Sequence, residues 1–312
     1  MAKAKLVFGI EQFGGPENII PKNIEDTKLA QHHVRVKVLA SSVNPIDIKT
    51  AMGLGFVAAQ KQPDSFMGLG YDLYGQIEEV GEQVNDFSIG QYVIGMVGFA
   101  HNPGCYAQQV DAHVEQIIVL DEKENPAIAG LCLSGLTALQ ALACLPVLPD
   151  VPLFINAPTG GVGHIAVQLA KLQGRQVVAL STRSQHPLLA KMDVKVMDYE
   201  SFYLQPHRAQ LLDLVGADTA LKLVANLDKQ SSVVTVPTIS KDQVVEFAKH
   251  KGIEAQGMVV KANNDDLNKL YQAYRSGKLS IHMDKQFSLN EVAQAHSYMQ
   301  GAQHCGKVII VT

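Results

Sequence analysis

One stretch of this 312-residue chain combines residue types and spacing that suit the binding of an anion. Phe154-Ile155-Asn156-Ala157-Pro158-Thr159-Gly160-Gly161-Val162-Gly163-His164-Ile165-Ala166 reads as a buried strand that enters a glycine-rich turn and leaves straight into a helix. In that helix Val162, Ile165, Ala166 and Leu169 fall at i, i+3, i+4 and i+7 and make the apolar stripe; His164, Gln168 and Lys171 fall outside it. The first backbone N–H groups of a helix have no intrahelical acceptor and sit at the positive end of its dipole, which suits a pyrophosphate. Glycine permits both the tight turn and close approach of phosphate to backbone. The pattern is AxxGxxG rather than GxGxxG, and a ligand-free strand–helix turn is the plain alternative. A strand before the turn, a helix after it and a further strand beyond favour dinucleotide binding at Thr159, Gly160, Gly161 and Val162.

The next strand bears on which dinucleotide. A site for NAD places an acidic side chain roughly 20 residues beyond the glycines, to bond the ribose 2′-hydroxyl. From Gly163 to Met192 there is no acid, and the strand ends Leu180-Ser181-Thr182-Arg183-Ser184. Two small hydroxyls and an arginine suit a 2′-phosphate, with Arg183 able to grip it through two N–H bonds. NADPH is the expected cofactor, with Ser181 and Arg183 reading the phosphate.

The elements that must position these groups fall into two textures. Short β-branched or aromatic strands are expected at 6–8, 34–40, 74–80, 92–96 and 107–110, punctuated by Gly14-Gly15-Pro16, Asn44-Pro45 and Gly104, as in a partly open barrel. From about Asn125 helices and strands alternate, starting with an apolar helix at 127–145. Continuous apolar strands at 151–157, 176–181, 194–197, 218–224, 231–236 and 253–260 suit a parallel sheet covered on both faces. Ser288-Leu289-Asn290-Glu291 has the capping-box form, and 307–311 reads as a last strand. The fold class is therefore α/β in two domains.

Composition narrows the function classes. At 47% hydrophobic and 18% charged residues the chain has material for a sizeable core, which excludes disorder. A net charge of −4 offers no broad positive field, so no nucleic-acid partner is expected. No window holds the roughly 18 uninterrupted apolar residues of a membrane span. Met1 to Leu6 lead into an amphipathic stretch without the apolar centre of a signal peptide. Cys105, Cys132, Cys144 and Cys305 are scattered, without CxxC or metal-site spacing. A cytoplasmic protein with free thiols and no metal is the expectation.

Several blocks together resemble the zinc-independent quinone oxidoreductases, the zeta-crystallin-like branch of the medium-chain dehydrogenase/reductase family. They are Ser42-Val43-Asn44-Pro45-Ile46-Asp47, Gly68-Leu69-Gly70-Tyr71-Asp72-Leu73-Tyr74-Gly75, Glu79-Val80-Gly81 through Phe87-Ser88-Ile89-Gly90, and Gly135-Leu136-Thr137-Ala138. The glycine turn, Ser276-Gly277-Lys278-Leu279 and Gly306-Lys307-Val308 follow in family order, so the likeness covers nearly the whole chain. It implies a GroES-like catalytic domain at 1–122, a Rossmann domain at 123–262, and a segment at 263–312 that returns to the first domain. It also implies a cleft in which nicotinamide meets substrate, and a homodimer paired through sheet edges, for which 253–260 is the candidate strand. Zinc-containing relatives carry a Cys and a His-Glu pair; here 43–47 has no Cys and the pair looks like Tyr71-Asp72, so no metal is expected.

By the same resemblance, Asn44 and Asp47 look like residues at the nicotinamide end, Thr137 like a residue facing the cofactor, and Tyr199 like the tyrosine beside the adenosine phosphate. Asn44 and Tyr71 are the candidate catalytic hydrogen-bond donors to negative charge growing on an acceptor oxygen. The implied reaction is hydride transfer from NADPH to a quinone or to an enone or enal. Two departures stand out. Gln91 replaces the aspartate of the family's GDxV turn, an expected structural loss. Reading 218–224 as a strand also shortens the following helix to 225–230, and that shortening favours the rival class, a catalytically weak NADPH sensor or crystallin-like structural protein.

Overall fold

The computed structural model describes residues 4–182, 187–301 and 304–312. The chain forms two units: Met1–Leu136 with Lys261–Gln272 and Ile281–Thr312, and Thr137–Val260 with Ala273–Ser280. The division falls between Leu136 and Thr137, inside the helix Cys132–Ala143, rather than at the change of texture near Asn125.

The first unit holds β1 (Ala4–Ile10), β2 (Ile19–Glu25), β3 (His33–Val43), β4 (Met67–Gly68), β5 (Asp72–Val80), β6 (Tyr92–Met96), β7 (Gln109–His113) and β8 (Ile117–Val119). Its centre is β3, whose alternation places Val34, Val36, Val38 and Ala40 in the core while Arg35 turns the other way. One edge of β3 pairs with β5; the other takes β7 along its first half. Arg35 clamps both neighbours, donating to Glu79 at 2.8 Å and to Asp111 at 2.8 Å. β1, β2 and β4 form a separate three-stranded sheet. Gln91 keeps its turn, because its Oε1 accepts the Ser88 N–H at 2.8 Å, so the expected loss does not occur.

The second unit continues with β9 (Leu153–Asn156), β10 (Val177–Leu180), β11 (Lys195–Met197), β12 (Gln210–Asp213), β13 (Ser232–Thr235) and β14 (Glu254–Gly257). They form an all-parallel sheet in the order β11-β10-β9-β12-β13-β14. One expectation fails here. Residues 218–224 are not a strand but belong to the helix Ala217–Ala225, which buries Ala220, Leu223 and Val224 at helical spacing. The strand is Gln210–Asp213, upstream, where a four-residue run between two polar ends gives little period to read. The helix before β13 is therefore present, and the shortening inferred at 225–230 is not.

The apolar stretch expected at 127–145 is a 3₁₀ segment, Pro126–Leu131, followed by the helix Cys132–Ala143. Pro126–Ala143 is long and apolar enough to cross a membrane, but 78% of it is buried inside the protein, as in a core helix. The chain ends with β15 (Met283–Ser288) and β16 (Lys307–Val311), which belong to the first unit. β16 pairs antiparallel with the second half of β3, completing a seven-stranded sheet with β15, β5, β6, β7 and β8. The capping box expected at 288–291 forms, with Glu291 Oε2 accepting the Ser288 N–H at 2.8 Å.

Arg175 holds the loop between the helix Cys132–Ala143 and β9. It donates to the carbonyls of Leu142 (3.1 Å), Leu145 (2.6 Å) and Pro146 (2.9 Å), and to Gln210 Oε1 (3.1 Å). Arg175→Met keeps the buried stem and removes every donor, leaving carbonyls unpaired; a loss of about 3 kcal/mol is expected in urea unfolding. An unchanged midpoint would show that water takes over these bonds.

Candidate functional site

The glycine turn begins where β9 ends. Asn156 is fully buried; its Nδ2 donates to Asp213 Oδ1 at 2.6 Å and its Oδ1 accepts the Leu214 N–H at 2.6 Å. Asp213 Oδ1 also accepts from the amides of Val215 (3.1 Å) and Gly216 (3.0 Å), and Oδ2 from the Thr235 hydroxyl (2.6 Å). These bonds join the carboxyl ends of β9, β12 and β13. Between β9 and β12 the strand order reverses, and open parallel sheets bind ligands at the carboxyl ends beside that reversal.

After Asn156 the chain turns through Ala157, held at φ +47°, a left-handed conformation that costs an alanine energy. Gly163 then passes so close that a Cβ there would lie 2.1 Å from the Ala157 carbonyl oxygen, so only glycine fits. At Gly160 a Cβ would meet only that same oxygen, at 3.4 Å, which leaves room above the turn. The helix Gly163–Leu172 follows, with Ile165, Ala166 and Leu169 buried as its stripe predicts. His164, outside that stripe, is buried too; its Nδ1 meets the Gly160 carbonyl at 2.8 Å and braces the turn. Thr159, Gly160, Gly161 and Val162 are half-buried at the mouth of this helix. Steric room, glycine-only closeness and a ten-residue helix behind the turn fit the pyrophosphate of a dinucleotide.

Tyr199 is half-buried; burial raises the pKa of its hydroxyl, and the Ala157 backbone at the entry to the turn opposes that rise. Ser181 is buried at the end of β10, the strand beside β9, and Thr182 is exposed. Thr137 is buried in the helix Cys132–Ala143. Arg183 lies outside the described residues.

The first unit carries a second polar cluster, at the end of β3. Asn44 precedes the helix Pro45–Ala51 and its N–H donates to Asp47 Oδ2 at 2.8 Å, half of a capping box. The Asn44 side chain is saturated. Nδ2 donates to Asp72 (2.8 Å) and to the Ser42 carbonyl (3.3 Å), while Oδ1 accepts from Lys307 Nζ (2.6 Å) and the Ser134 hydroxyl (3.3 Å). Lys307 is 2% exposed and also reaches Ser134 Oγ (3.0 Å) and Asp72 (3.4 Å). Asp72 further accepts the Leu133 N–H (2.7 Å) and the Ser42 hydroxyl. Two candidates from the sequence, Asn44 and Asp47, thus meet here. The sequence names Asp72 only in the Tyr71-Asp72 pair and Lys307 only in a family block, and gives Ser134 and Tyr106 no role; a lysine opening an otherwise apolar strand is the visible signal.

Several buried atoms of this region have no partner: Ser41 Oγ, Thr50 Oγ1, His296 Nε2, and one atom each of Asp47 and Tyr71. Asp47 is fully buried; Oδ2 takes the Asn44 amide and the Tyr106 hydroxyl (3.0 Å), but Oδ1 has no partner. Burial, reinforced by the nearby Asp72 charge, pushes its carboxyl up to about 7 against those two donors and Lys307. Tyr71 is also fully buried, stacked edge-on to Phe99 at 5.2 Å, and its hydroxyl has no partner. Its ionisation is pushed far up by burial and then by the charge of Asp47.

Comparison with known proteins places this geometry. An alcohol dehydrogenase GroES-like domain profile matches residues 30–138 and a zinc-binding dehydrogenase profile residues 193–310. The structure of the quinone oxidoreductase from Coxiella burnetii is 34% identical, with a TM-score of 0.94 over 99% of this chain and 100% of that one. The chain belongs to the quinone oxidoreductases of the medium-chain dehydrogenase/reductase family. Among curated relatives, a 2-haloacrylate reductase of Burkholderia sp is 24% identical over 97% of both chains. The Escherichia coli quinone oxidoreductase, solved with NADPH, shares the fold at 19% identity (TM-score 0.84, 98% of this chain and 100% of that one).

A zinc ion does not fit this donor set. Asp72 already accepts from four groups, and its neighbour Tyr71 offers a phenol held un-ionised rather than an imidazole. Among the described residues, no three His, Cys, Asp or Glu side chains converge to hold a metal.

His296, edge-on to Tyr106 at 5.7 Å, is kept neutral by burial, its pKa lowered to about 4. It and Asp47 bend stability with pH in opposite senses. As pH falls from about 6.5 to 4 the unfolded His296 takes a proton that the folded one refuses, costing about 1.4 kcal/mol per pH unit. As pH rises from about 3.8 to 7, the unfolded Asp47 loses a proton that the folded one keeps, at a similar slope. Urea midpoints across this range should fall with rising pH in His296→Met and with falling pH in Asp47→Asn. Parallel curves in both variants and the wild type would refute these assignments.

Proposed function

We propose that this protein is an NADPH-dependent, metal-free oxidoreductase that reduces quinones or α,β-unsaturated carbonyl compounds. The observation that carries the reading is the full-length likeness to a quinone oxidoreductase in a chain whose strand–turn–helix leaves no room for a Cβ at Gly163 and open space at Gly160. The name of the 2-haloacrylate reductase, whose substrate carries a carbon–carbon double bond conjugated to a carboxylate, supports an electron-poor acceptor. NADPH over NADH rests on Ser181, Thr182 and Arg183 at the strand end, with no acid from Gly163 to Met192.

When bound, the reduced nicotinamide supplies the hydride. The residues of the second unit hold the dinucleotide: Thr159, Gly160, Gly161 and Val162 at the diphosphate, Tyr199 beside the turn, Ser181 and Arg183 at the 2′-phosphate. Those of the first unit meet the charge that grows on the acceptor oxygen. Both amide hydrogens of Asn44 are committed to Asp72 and Ser42, so Asn44 positions its neighbours and Tyr71, with an unengaged hydroxyl, is the donor. Asp47 and Thr137 complete the cofactor-side assignment carried by the family. A non-enzymatic NADPH sensor or crystallin-like protein drew its support from a shortened helix, and the helix Ala217–Ala225 removes that ground. The reading carries with it a cytoplasmic homodimer paired through β14, the edge strand of the parallel sheet.

Calorimetry tests the cofactor assignment. NADPH should bind more tightly than NADH, and Arg183→Ala should weaken NADPH by roughly 10-fold or more while leaving NADH within about 2-fold. Equal losses for both would show that Arg183 does not read the phosphate. Acceptor-dependent NADPH oxidation with simple quinones and enals is the companion assay; its absence despite binding would sink the enzymatic reading.

A further inference from the structure

We propose that His164 is the positioning residue of the glycine turn: its ring pins the Gly160 carbonyl and thereby aims the Gly161 N–H out of the helix mouth at the diphosphate. This rests on the reading of the turn as a dinucleotide site and adds what keeps that site in shape.

Gly160 and Gly161 have no side chains to hold them, and glycine has more backbone freedom to lose than any other residue. The peptide between two such residues turns easily, and an amide that must turn to meet its ligand weakens binding by the ordering it requires. Three bonds remove that freedom here. The Gly160 N–H donates to the Ala157 carbonyl at 3.0 Å. The Gly160 carbonyl accepts the His164 backbone N–H at 3.1 Å and meets the His164 ring Nδ1 at 2.8 Å. A carbonyl oxygen only accepts, so the ring carries a proton on Nδ1. A first-turn helical bond frays readily, and a second donor on the same oxygen keeps the carbonyl in place.

Peptide geometry converts this grip into a direction. In a planar trans peptide the C=O and the following N–H point opposite ways. With the Gly160 carbonyl drawn toward the body of the helix, the Gly161 N–H points away from it, out of the N-terminus. There it is one of the first amides that no intrahelical carbonyl reaches, at the positive end of the dipole. The turn is open at this point: Gly160 and Gly161 are half-buried, and a Cβ at Gly160 would meet only the Ala157 carbonyl oxygen. His164 is itself fully buried, so it acts through the Gly160 peptide and not by contact with a ligand.

The backbone at His164 is anchored in its turn. Gln168, one helical turn further on, donates from Nε2 to the His164 carbonyl at 2.8 Å and to the Ser280 carbonyl at 3.0 Å. Its Oε1 accepts the Ser280 N–H at 2.9 Å and the Ser280 hydroxyl at 3.0 Å. The segment that ends at Ser280, part of the same unit, thus straps the start of the helix from outside, and the imidazole projects from a fixed point.

Calorimetry on the full-length protein, with NADPH and NADH as probes, tests the assignment. His164→Leu keeps an apolar body in the buried space and removes the donor. His164→Asn keeps a donor near the Nδ1 position, and Asn226 shows the reach in this chain, donating to the Lys222 carbonyl four residues back at 3.0 Å. His164→Leu should weaken both dinucleotides alike, by about 10-fold and with unchanged stoichiometry, while His164→Asn stays within about 2-fold of wild type. In isotope-labelled wild type, inorganic pyrophosphate should shift the amide resonance of Gly161 strongly and that of Gly160, already committed to Ala157, much less. Unchanged affinity in His164→Leu, a lowered stoichiometry at unchanged affinity, or equal losses in the Leu and Asn variants would each overturn the positioning role and leave the turn as the dinucleotide site. A wild type that takes up neither dinucleotide would fail the reading of the turn itself, and this assignment with it. If His164→Leu does not fold, the wild-type amide resonances decide: a Gly161 signal that stays still while pyrophosphate moves its neighbours overturns the assignment.

Discussion

A lysine ammonium sealed inside the first unit constrains everything around it. Lys307 is 2% exposed, and taking an ammonium out of water costs several kcal/mol unless its hydrogens and charge are met. They are met by Asn44 Oδ1, Ser134 Oγ and the Asp72 carboxylate, from three separate stretches of chain, while Lys307 comes from the last strand. Removing either charged partner would strand the other, at about 3–5 kcal/mol, so the network demands that all four stretches assemble together. It also dictates who is free. Asn44 spends its whole hydrogen-bonding capacity inside the network, while Asp47 Oδ1 and the Tyr71 hydroxyl are among the buried atoms that stay outside it.

The parallel sheet solves a related problem with a single charge. Asp213 is fully buried and accepts from the Asn156 amide, two backbone amides and the Thr235 hydroxyl. Those bonds pull three strand ends into register where the strand order reverses, and so fix the point from which the glycine turn departs. Strain at Ala157 and the absence of room for a Cβ at Gly163 are tolerated because both ends of the turn are anchored, by Asn156 on one side and by the packed helix on the other. The two polar clusters divide the labour. One anchors the backbone of the glycine turn, and the other gathers a buried lysine, an aspartate and an asparagine at the end of β3.

Legibility in the sequence followed the range of the physics involved. The glycine turn, the long apolar β3, the capping box at Ser288 and the strand Lys307–Val311 rest on neighbours a few residues apart, and all were readable. The strand Gln210–Asp213 was not: it is short, and both its polar ends are buried by partners elsewhere in the chain. Ala217–Ala225 departs from the expected strand because a nine-residue helix with apolar residues at 220, 221, 223 and 224 looks, in a short window, like a buried strand. Gln91 shows the converse error, since its side chain accepts the Ser88 amide in a turn where a structural loss is expected.

Residue types and short-range spacing alone determined that this chain has a glycine-rich strand–turn–helix, two structural textures, no zinc-ligand pattern and no acid from Gly163 to Met192. What only the tertiary structure decided was the protonation and hydrogen-bond availability of the polar side chains gathered at the end of β3. Whether an asparagine has a hydrogen to spare, or an aspartic acid keeps its proton near neutrality, depends on groups up to 263 residues away in sequence that meet only after burial removes water. Desolvation and hydrogen-bond saturation are properties of the assembled interior, and no local pattern encodes them.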